Sequence, residues 1–389
     1  MVKIKCIYIA VLLLIISSCR GKAVVKAGDL PIAVGSVSAE VLGKIERDAI
    51  IVSDTVDLKN RVCYIPQGIT LVFNKGIIKN GTLIGNNTKI KNRSACFQHV
   101  RISGRWNVPV INTDLFTDLS YNNALKDVIA LSSPKIKNKI TIGNGNYYVT
   151  AYKDGEACLK INSNTELVVN GNILLIPNDL KKCHIINVSG NNIKISGNGM
   201  IKGDKHTHTG KSGEWGMGIN LSKAHHIKLY GLNISDCWGD CIYVGNESTD
   251  IEICNCKLDN GRRQGISITS ADTVYIKDCV ISNVYGTAPE YAIDIEPNKG
   301  QTVSNVRIKG VTVNNCIGGI YLCGVASNAE IENVIIRHCR IIGVSKTPIM
   351  LQKCNNTLVE NIHFERCSGL EPIVKEMAAH SIVRKISVK

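Results

Sequence analysis

Beyond its first twenty residues the chain has no apolar run long enough to cross a bilayer as a helix, which excludes a multi-span helical membrane protein. Nowhere do basic residues interleave with aromatics as they do in single-strand binders, so nucleic acid is not an expected partner. The sixteen cysteines show neither a compact stapled framework nor the usual zinc spacing. Cys254 and Cys256, for example, are separated by one residue rather than two. What is present is a 389-residue chain with a hydrophobic fraction of 44%, enough for a sizeable core and too much for disorder. Its net charge of +14 favours acidic partners such as anionic glycans or lipid headgroups.

The N-terminus reads as a targeting segment. Lys3 and Lys5 form a positive end, residues 6–16 an apolar run, and Ile16-Ser17-Ser18-Cys19 a small-residue site ending in cysteine. The tetrapeptide resembles a bacterial lipobox, which implies cleavage after residue 18, acylation of Cys19 and lipid anchoring in the bacterial cell envelope, at the outer membrane. Loss of Lys3 and Lys5 lowers the charge from +14 to +12.

An internal repeat predicts the fold. The segments 218-GINL, 241-CIYV, 265-GISI, 292-AIDI, 319-GIYL and 348-PIML start 23, 24, 27, 27 and 29 residues apart, each with Ile second and an aliphatic or Ile fourth. Strands alternate faces with a period of two, so the second and fourth side chains share one face and the first and third the other. A second series, 227-IKLYGLNI, 251-IEICNCKL, 274-VYIKDCVI, 306-VRIKGVTV and 334-VIIRHCRI, interleaves with the first. Each repeat therefore holds about three short strands separated by Gly, Asn or Asp bends, and a coil that cannot bury its apolar face alone does so by stacking. Cys256, Cys279 and Cys339 recur at one place in this repeat and are expected to form a column of buried thiols, small apolar side chains rather than bridges.

This pattern predicts an all-β chain, a right-handed parallel β-helix solenoid with an N-terminal capping helix. It resembles the pectate-lyase and polygalacturonase superfamily over at least residues 140–388. Residues 121–133, with Ala124, Leu125, Val128, Ile129 and Leu131 at helical spacing, are the expected cap. The implied organisation is a signal peptide (1–18), a tether (19–47), a small β-rich unit (48–105) and the β-helix domain (106–389).

The outward third position of the six strands holds Asn220, Tyr243, Ser267, Asp294, Tyr321 and Met350, and the fifth continues that face with Glu296 after Asp294. These side chains are expected to form a polar groove across the strands. In the polygalacturonase pattern, successive strands carry Asn-Thr-Asp, Gly-Asp-Asp, Gly-His-Gly and Arg-x-Lys. Here Gly239-Asp240 keeps one acid, Met217 and Gln264 stand at the other aspartate and the histidine, and Asp294-x-Glu296 replaces the cationic pair. Two anions in place of two cations disfavour a uronate there by like-charge repulsion.

The resemblance and the residues together point to a carbohydrate-active enzyme, with Asp240, Asp294 and Glu296 as catalytic carboxyls. Coil and strand spacings put Asp240 about 7–10 Å from Asp294, and Asp294 about 7 Å from Glu296, the range of inverting glycosidases. Tyr243, Arg262, Arg263, Gln264, Glu290, Trp215 and His208 are the expected substrate-binding residues, because aromatics and bidentate groups suit sugar rings and hydroxyls. No cofactor is expected for hydrolysis. The alternatives are a polysaccharide lyase, for which Arg262, Arg263, Lys205 or calcium held by Asp294, Glu296 and Glu290 would neutralise a uronate, and a non-catalytic glycan-binding solenoid.

Overall fold

Among the described residues strands stack in parallel register, coil upon coil, apart from one antiparallel pair, Lys44–Glu46 with Ala49–Val52. The structure, a computed structural model, describes residues 36–91, 94–368 and 371–389. The expected signal peptide and Cys19 lie outside the described residues.

One wall is a parallel sheet of nine strands: Glu156–Ile161, Lys182–Val188, Trp215–Ser222, Ile242–Gly245, Ile266–Ile268, Tyr291–Ile295, Gly318–Cys323, Ile349–Gln352 and Ile373–Glu376. Ile219, Ile242, Ile266, Ile293, Ile320 and Ile349 are register partners in turn, which is the alignment that the repeat predicts. All six are fully buried, stacked as one column inside the solenoid. Longer strands, among them Asn191–Ser196, His225–Tyr230, Ser248–Cys254, Ala271–Lys277 and Thr302–Lys309, build a second wall, and three-residue strands such as Lys257–Asp259 and Val280–Ser282 complete each coil.

The bends are made by residues that tolerate left-handed backbone. Asn255 (φ 55°) and Asp278 (φ 50°) turn one corner, and Asn305, Asn333 and Asn356 another. The second group also forms a side-chain ladder, with Asn333 Nδ2 donating to Asn305 Oδ1 at 3.3 Å and Asn356 Nδ2 to Asn333 Oδ1 at 2.6 Å. Cys256, Cys279 and Cys339 are buried free thiols at the corners, each donating to the carbonyl two residues before it.

The helix Ala124–Ala130 buries Leu125, Val128 and Ile129 against the first coil. The coil end it covers is not open to solvent, because the strand Phe97–Trp106 packs on the helix too. Buried Asp127 ties the two together, accepting from the Ile102 amide at 2.8 Å and from the Tyr121 hydroxyl at 3.0 Å. The N-terminal unit departs from its expected bounds. Residues 36–47 are not a tether, since Val37, Ala39 and Leu42 enter the core and Ser36–Val37 pairs with Thr55–Tyr64. At the other end Phe116–Asp118 pairs with Phe97–Trp106. Its strands are also longer than the short apolar pairs suggest, and Ile77–Lys91 runs fifteen residues with left-handed Asn80 and Asn87 bending it. A single hydrophobic core continues from Val37 to Phe364.

Candidate active site

The strand Tyr291–Ile295 places Asp294 between the core residues Ile293 and Ile295, so alternation puts its carboxyl on the outer side of the nine-stranded wall. Its register partners are Ser267 on one side and Tyr321 on the other. The outer side is not open here: Asp294 and Asp240 both have no exposed surface. This corrects the expectation of two acids in an open groove. Side chains from neighbouring coils cover them, a packing that no single repeat contains.

Arg263 is the centre of that cover. Its guanidinium lies 3.5 Å from Asp240 Oδ2, 3.4 Å from Glu214 Oε2 and 3.9 Å from Glu296 Oε2. Burial works against the arginine's charge, but Asp240, Asp294, Glu214 and Glu296 together hold its pKa above the ordinary value. Gln264 is itself fully buried and acts as a bracket, donating from Nε2 to Asp294 Oδ2 at 2.7 Å and accepting the Tyr291 amide at Oε1, 2.8 Å. It positions Asp294 and does not reach solvent, contrary to its expected role in binding substrate.

The carboxyls are unevenly charged. Burial pushes Asp240 up to about 7, against the pull of Arg263. Burial raises Asp294 well above the usual carboxylate range, and the nearby Glu296 carboxyl adds to the rise. Both oxygens of Asp240 and Oδ1 of Asp294 are buried without a hydrogen-bond donor. Glu296 and Glu214, with side chains 40% and 44% exposed, are the members of the cluster that meet solvent.

The remaining candidates divide. Tyr243 is half-buried on the same outer row, its hydroxyl 2.7 Å from Thr269 Oγ1. That hydroxyl passes over Gly245, where a Cβ would come within 2.6 Å of it. Trp215 is exposed at the rim. Arg262 and His208 are structural fasteners instead. The Arg262 guanidinium lies 3.7 Å over the Trp238 ring and donates to Gly213 O at 2.8 Å. His208 stacks on the same indole at 3.8 Å, and its Nδ1 is 2.9 Å from the buried Asp204 carboxylate. The loop 203–215 is thereby fixed to the sheet edge, and it delivers Glu214 to Arg263. Glu290 turns elsewhere, to Lys346 Nζ at 3.0 Å and the Gly286 amide at 2.8 Å. It does not join Asp294 and Glu296, and among the described residues no group of three or more His, Cys, Asp or Glu is arranged to hold a metal ion.

Glu214 lies outside the repeat; the sequence brings it to this edge beside Trp215, on the long 203–215 insertion, without marking it as a member of the site. Tyr321, in contrast, was legible as the next rung after Asp294; its ring stacks on Tyr291 at 4.8 Å and its hydroxyl donates to Gln352 Oε1 at 2.7 Å.

Comparison with known proteins bears on the fold. The family described as a right handed beta helix region matches residues 138–302. The protein YclG of Bacillus subtilis (strain 168) is 36% identical over 124 residues, 27% of this chain and 21% of YclG. The prophage-derived YorA of the same organism is 28% identical over 163 residues, 36% of this chain and 28% of YorA. The chain thus aligns with about a quarter of the length of these relatives. Among solved structures, the A-module of the mannuronan C-5 epimerase AlgE4 from Azotobacter vinelandii superposes with a TM-score of 0.44 at 8% identity, covering 65% of this chain and 80% of that one. Family match and coil register agree that the fold is a right-handed parallel β-helix.

Proposed function

We propose that the Arg263-centred cluster is the active site of a glycan-cleaving hydrolase that works by carboxyl acid/base catalysis. The observation that supports this reading most is the convergence of four carboxyls on one guanidinium, two of them buried with unpaired oxygens and raised pKa values, on the outer side of a wall that is otherwise regular.

In this reading Glu296, exposed beside Arg263, delivers the proton to the departing glycosidic oxygen, and the buried Asp294, two residues before it and raised above the usual carboxylate range, resupplies it. Glu214, across Arg263, activates water on the other side of the sugar, and Asp240, buried against the guanidinium, orients Arg263. Two carboxylates separated by a guanidinium leave room for that water, as inversion requires. Arg263 keeps the bases ionised and fixes their directions. Tyr243, Tyr321 and Trp215 offer ring faces along the row to the sugar chain, and Gln264 holds Asp294 in place. The same proposal places the mature chain in the bacterial envelope, anchored through Cys19. Two cations that could neutralise a uronate are engaged elsewhere: Arg262 lies over the Trp238 ring, and Lys205 donates to Asn260 Oδ1 at 2.7 Å and Tyr285 O at 2.8 Å.

The test is a panel of neutral and charged glycans assayed for new reducing ends and for ultraviolet-absorbing unsaturated products. Reducing ends without ultraviolet absorbance are expected, and Glu296→Gln should abolish them. Unsaturated products would reassign the chemistry to elimination, and binding without any product would reassign the wall to recognition alone.

A further inference from the structure

On the wall of longer strands, opposite charges pair over the first coils and then cease to. Lys194 lies 3.2 Å from Glu166 and Lys228 3.0 Å from Glu252. From the next coil on, Lys277, Lys309 and Arg337 are register partners in turn, three cations about 4.8 Å apart on successive coils. Alternation puts them on the outer face, since Ile276, Ile308 and Ile336 beside them are buried, and Arg307, two residues before Lys309, shares that face. Like charges set directly opposite one another in a sheet are unfavourable. Neutralisation from within the chain is sparse. Among the described residues Arg307 and Lys309 have no ion-pair partner, Lys277 lies 3.6 Å from Asp278, and Glu360 is shared by Arg337, Arg384 and Lys385 at 3.2, 2.8 and 3.4 Å. Six cations thus face two acids. In the other direction the same row runs to an aromatic: Cys254 is the register partner of Lys277, and Tyr230 that of Cys254. The small thiol between two long side chains leaves a shallow depression lined by Lys194, Lys228, Tyr230, Glu252 and Cys254, with the Tyr230 ring exposed.

We infer that this row is a docking surface for a linear acidic polysaccharide, one whose successive sugars carry carboxylate or sulfate groups, lying along the solenoid axis. The coil step of about 4.8 Å is close to the length of one sugar ring in an extended chain, so successive acidic groups meet successive cations. Arg307 and Arg337 offer planar forks to those groups, and Lys277 and Lys309 offer point charges. Tyr230 supplies a ring face on which a sugar can stack, next to the depression at Cys254. A lipid surface calls for exposed apolar side chains beside the cations. Ile335, the partner of Arg307 on the next coil, is half-buried instead. The row lies on the other broad wall from Arg263, so it holds a chain without cutting it and does not depend on the hydrolase reading.

The probes are polygalacturonate and dextran sulfate, with dextran as the neutral polymer, each titrated calorimetrically into the full chain at low and at high salt. At least one acidic polymer should bind, dextran should not, and the affinity should fall as salt rises. Lys309→Glu sets an anion between two cations, which the folded wall tolerates at least as well as the parent, so its melting should not drop. It should weaken binding about tenfold. Lys89→Glu makes the same change of net charge at an exposed residue of the N-terminal unit and should weaken binding less than about twofold. Equal losses in the two variants would show that net charge alone attracts the polymer and would overturn the inference, as would dextran binding as tightly as the acidic polymers, or no binding of either acidic polymer. Phosphatidylglycerol vesicles that capture the parent but not Lys309→Glu, with no Lys309-dependent polymer binding, would overturn it in favour of a lipid surface. Glu296→Gln should dock the acidic polymer as the parent does, so a failure of the hydrolase reading and a failure of this one are seen apart.

Discussion

The two broad walls of the solenoid share one backbone geometry and treat charge in opposite ways. On the wall of longer strands, Glu166, Lys194, Lys228 and Glu252 are register partners in turn, and they pair off as Lys194–Glu166 at 3.2 Å and Lys228–Glu252 at 3.0 Å. All four are solvated, and each cation has its own anion. On the nine-stranded wall, acids of one sign gather under Arg263, and two lose all contact with water. A ladder of solvated, oppositely charged pairs is what stacked coils produce when charge serves solubility. Crowded, desolvated charge of one sign costs stability, and the contrast marks the second arrangement as the one retained for chemistry.

The sharpest way to break this comparison is to neutralise one charged residue on each wall. Asp294→Asn should lower turnover by roughly 10²–10⁴-fold while melting stays close to the parent, because a raised pKa means that the folded site already holds a neutral group there. Unchanged turnover would remove Asp294 from the chemistry. Next in size is Arg263→Met, which strips the cation from four carboxyls; breaking a buried pair this way costs about 3 kcal/mol. Chemical denaturation at neutral pH should show that loss, and it should shrink at pH 5, where Asp240 is protonated.

How much of this was legible in the sequence follows from which contacts lie within a repeat. The isoleucine column, the outer row through Tyr243, Asp294 and Tyr321, and left-handed Asn255 and Asp278 all follow from a period of two and a recurring bend, so the aligned segments place them. The cover over Asp294 depends instead on Gln264 from the preceding coil, and Glu214 on a loop pinned by His208, Trp238 and Arg262. Those contacts span 30 and 49 residues of chain in Gln264–Asp294 and Gly213–Arg262, with no period to announce them. At the N-terminus, likewise, Asn80 and Asn87 bend the strand Ile77–Lys91 rather than end it, a length that no period announces.

A finer test uses proton linkage on the site wall. Asp240 has a folded pKa raised to about 7, above its unfolded value of about 3.9, so between those pH values the unfolded state binds fewer protons than the native one. Its contribution is therefore fully present below about pH 4 and is lost as pH rises through about 7. Denaturation followed across that window should show stability falling by at most about 1.4 kcal/mol per pH unit from this group. Asp240→Asn should flatten that slope; an unaltered slope would mean that Asp240 is ionised throughout.

The smallest effect belongs to the solvated wall. Lys228→Gln removes one member of the exposed pair with Glu252, leaving a carboxylate that water can hydrate, so the change in unfolding free energy should stay below about 0.5 kcal/mol. The effect should vanish in high salt, where surface charges separated by more than a few ångströms no longer interact. Glycan turnover should be unaffected. A loss on the scale of Arg263→Met would show that the second wall, too, depends on an uncompensated charge, and the distinction between the walls would fail.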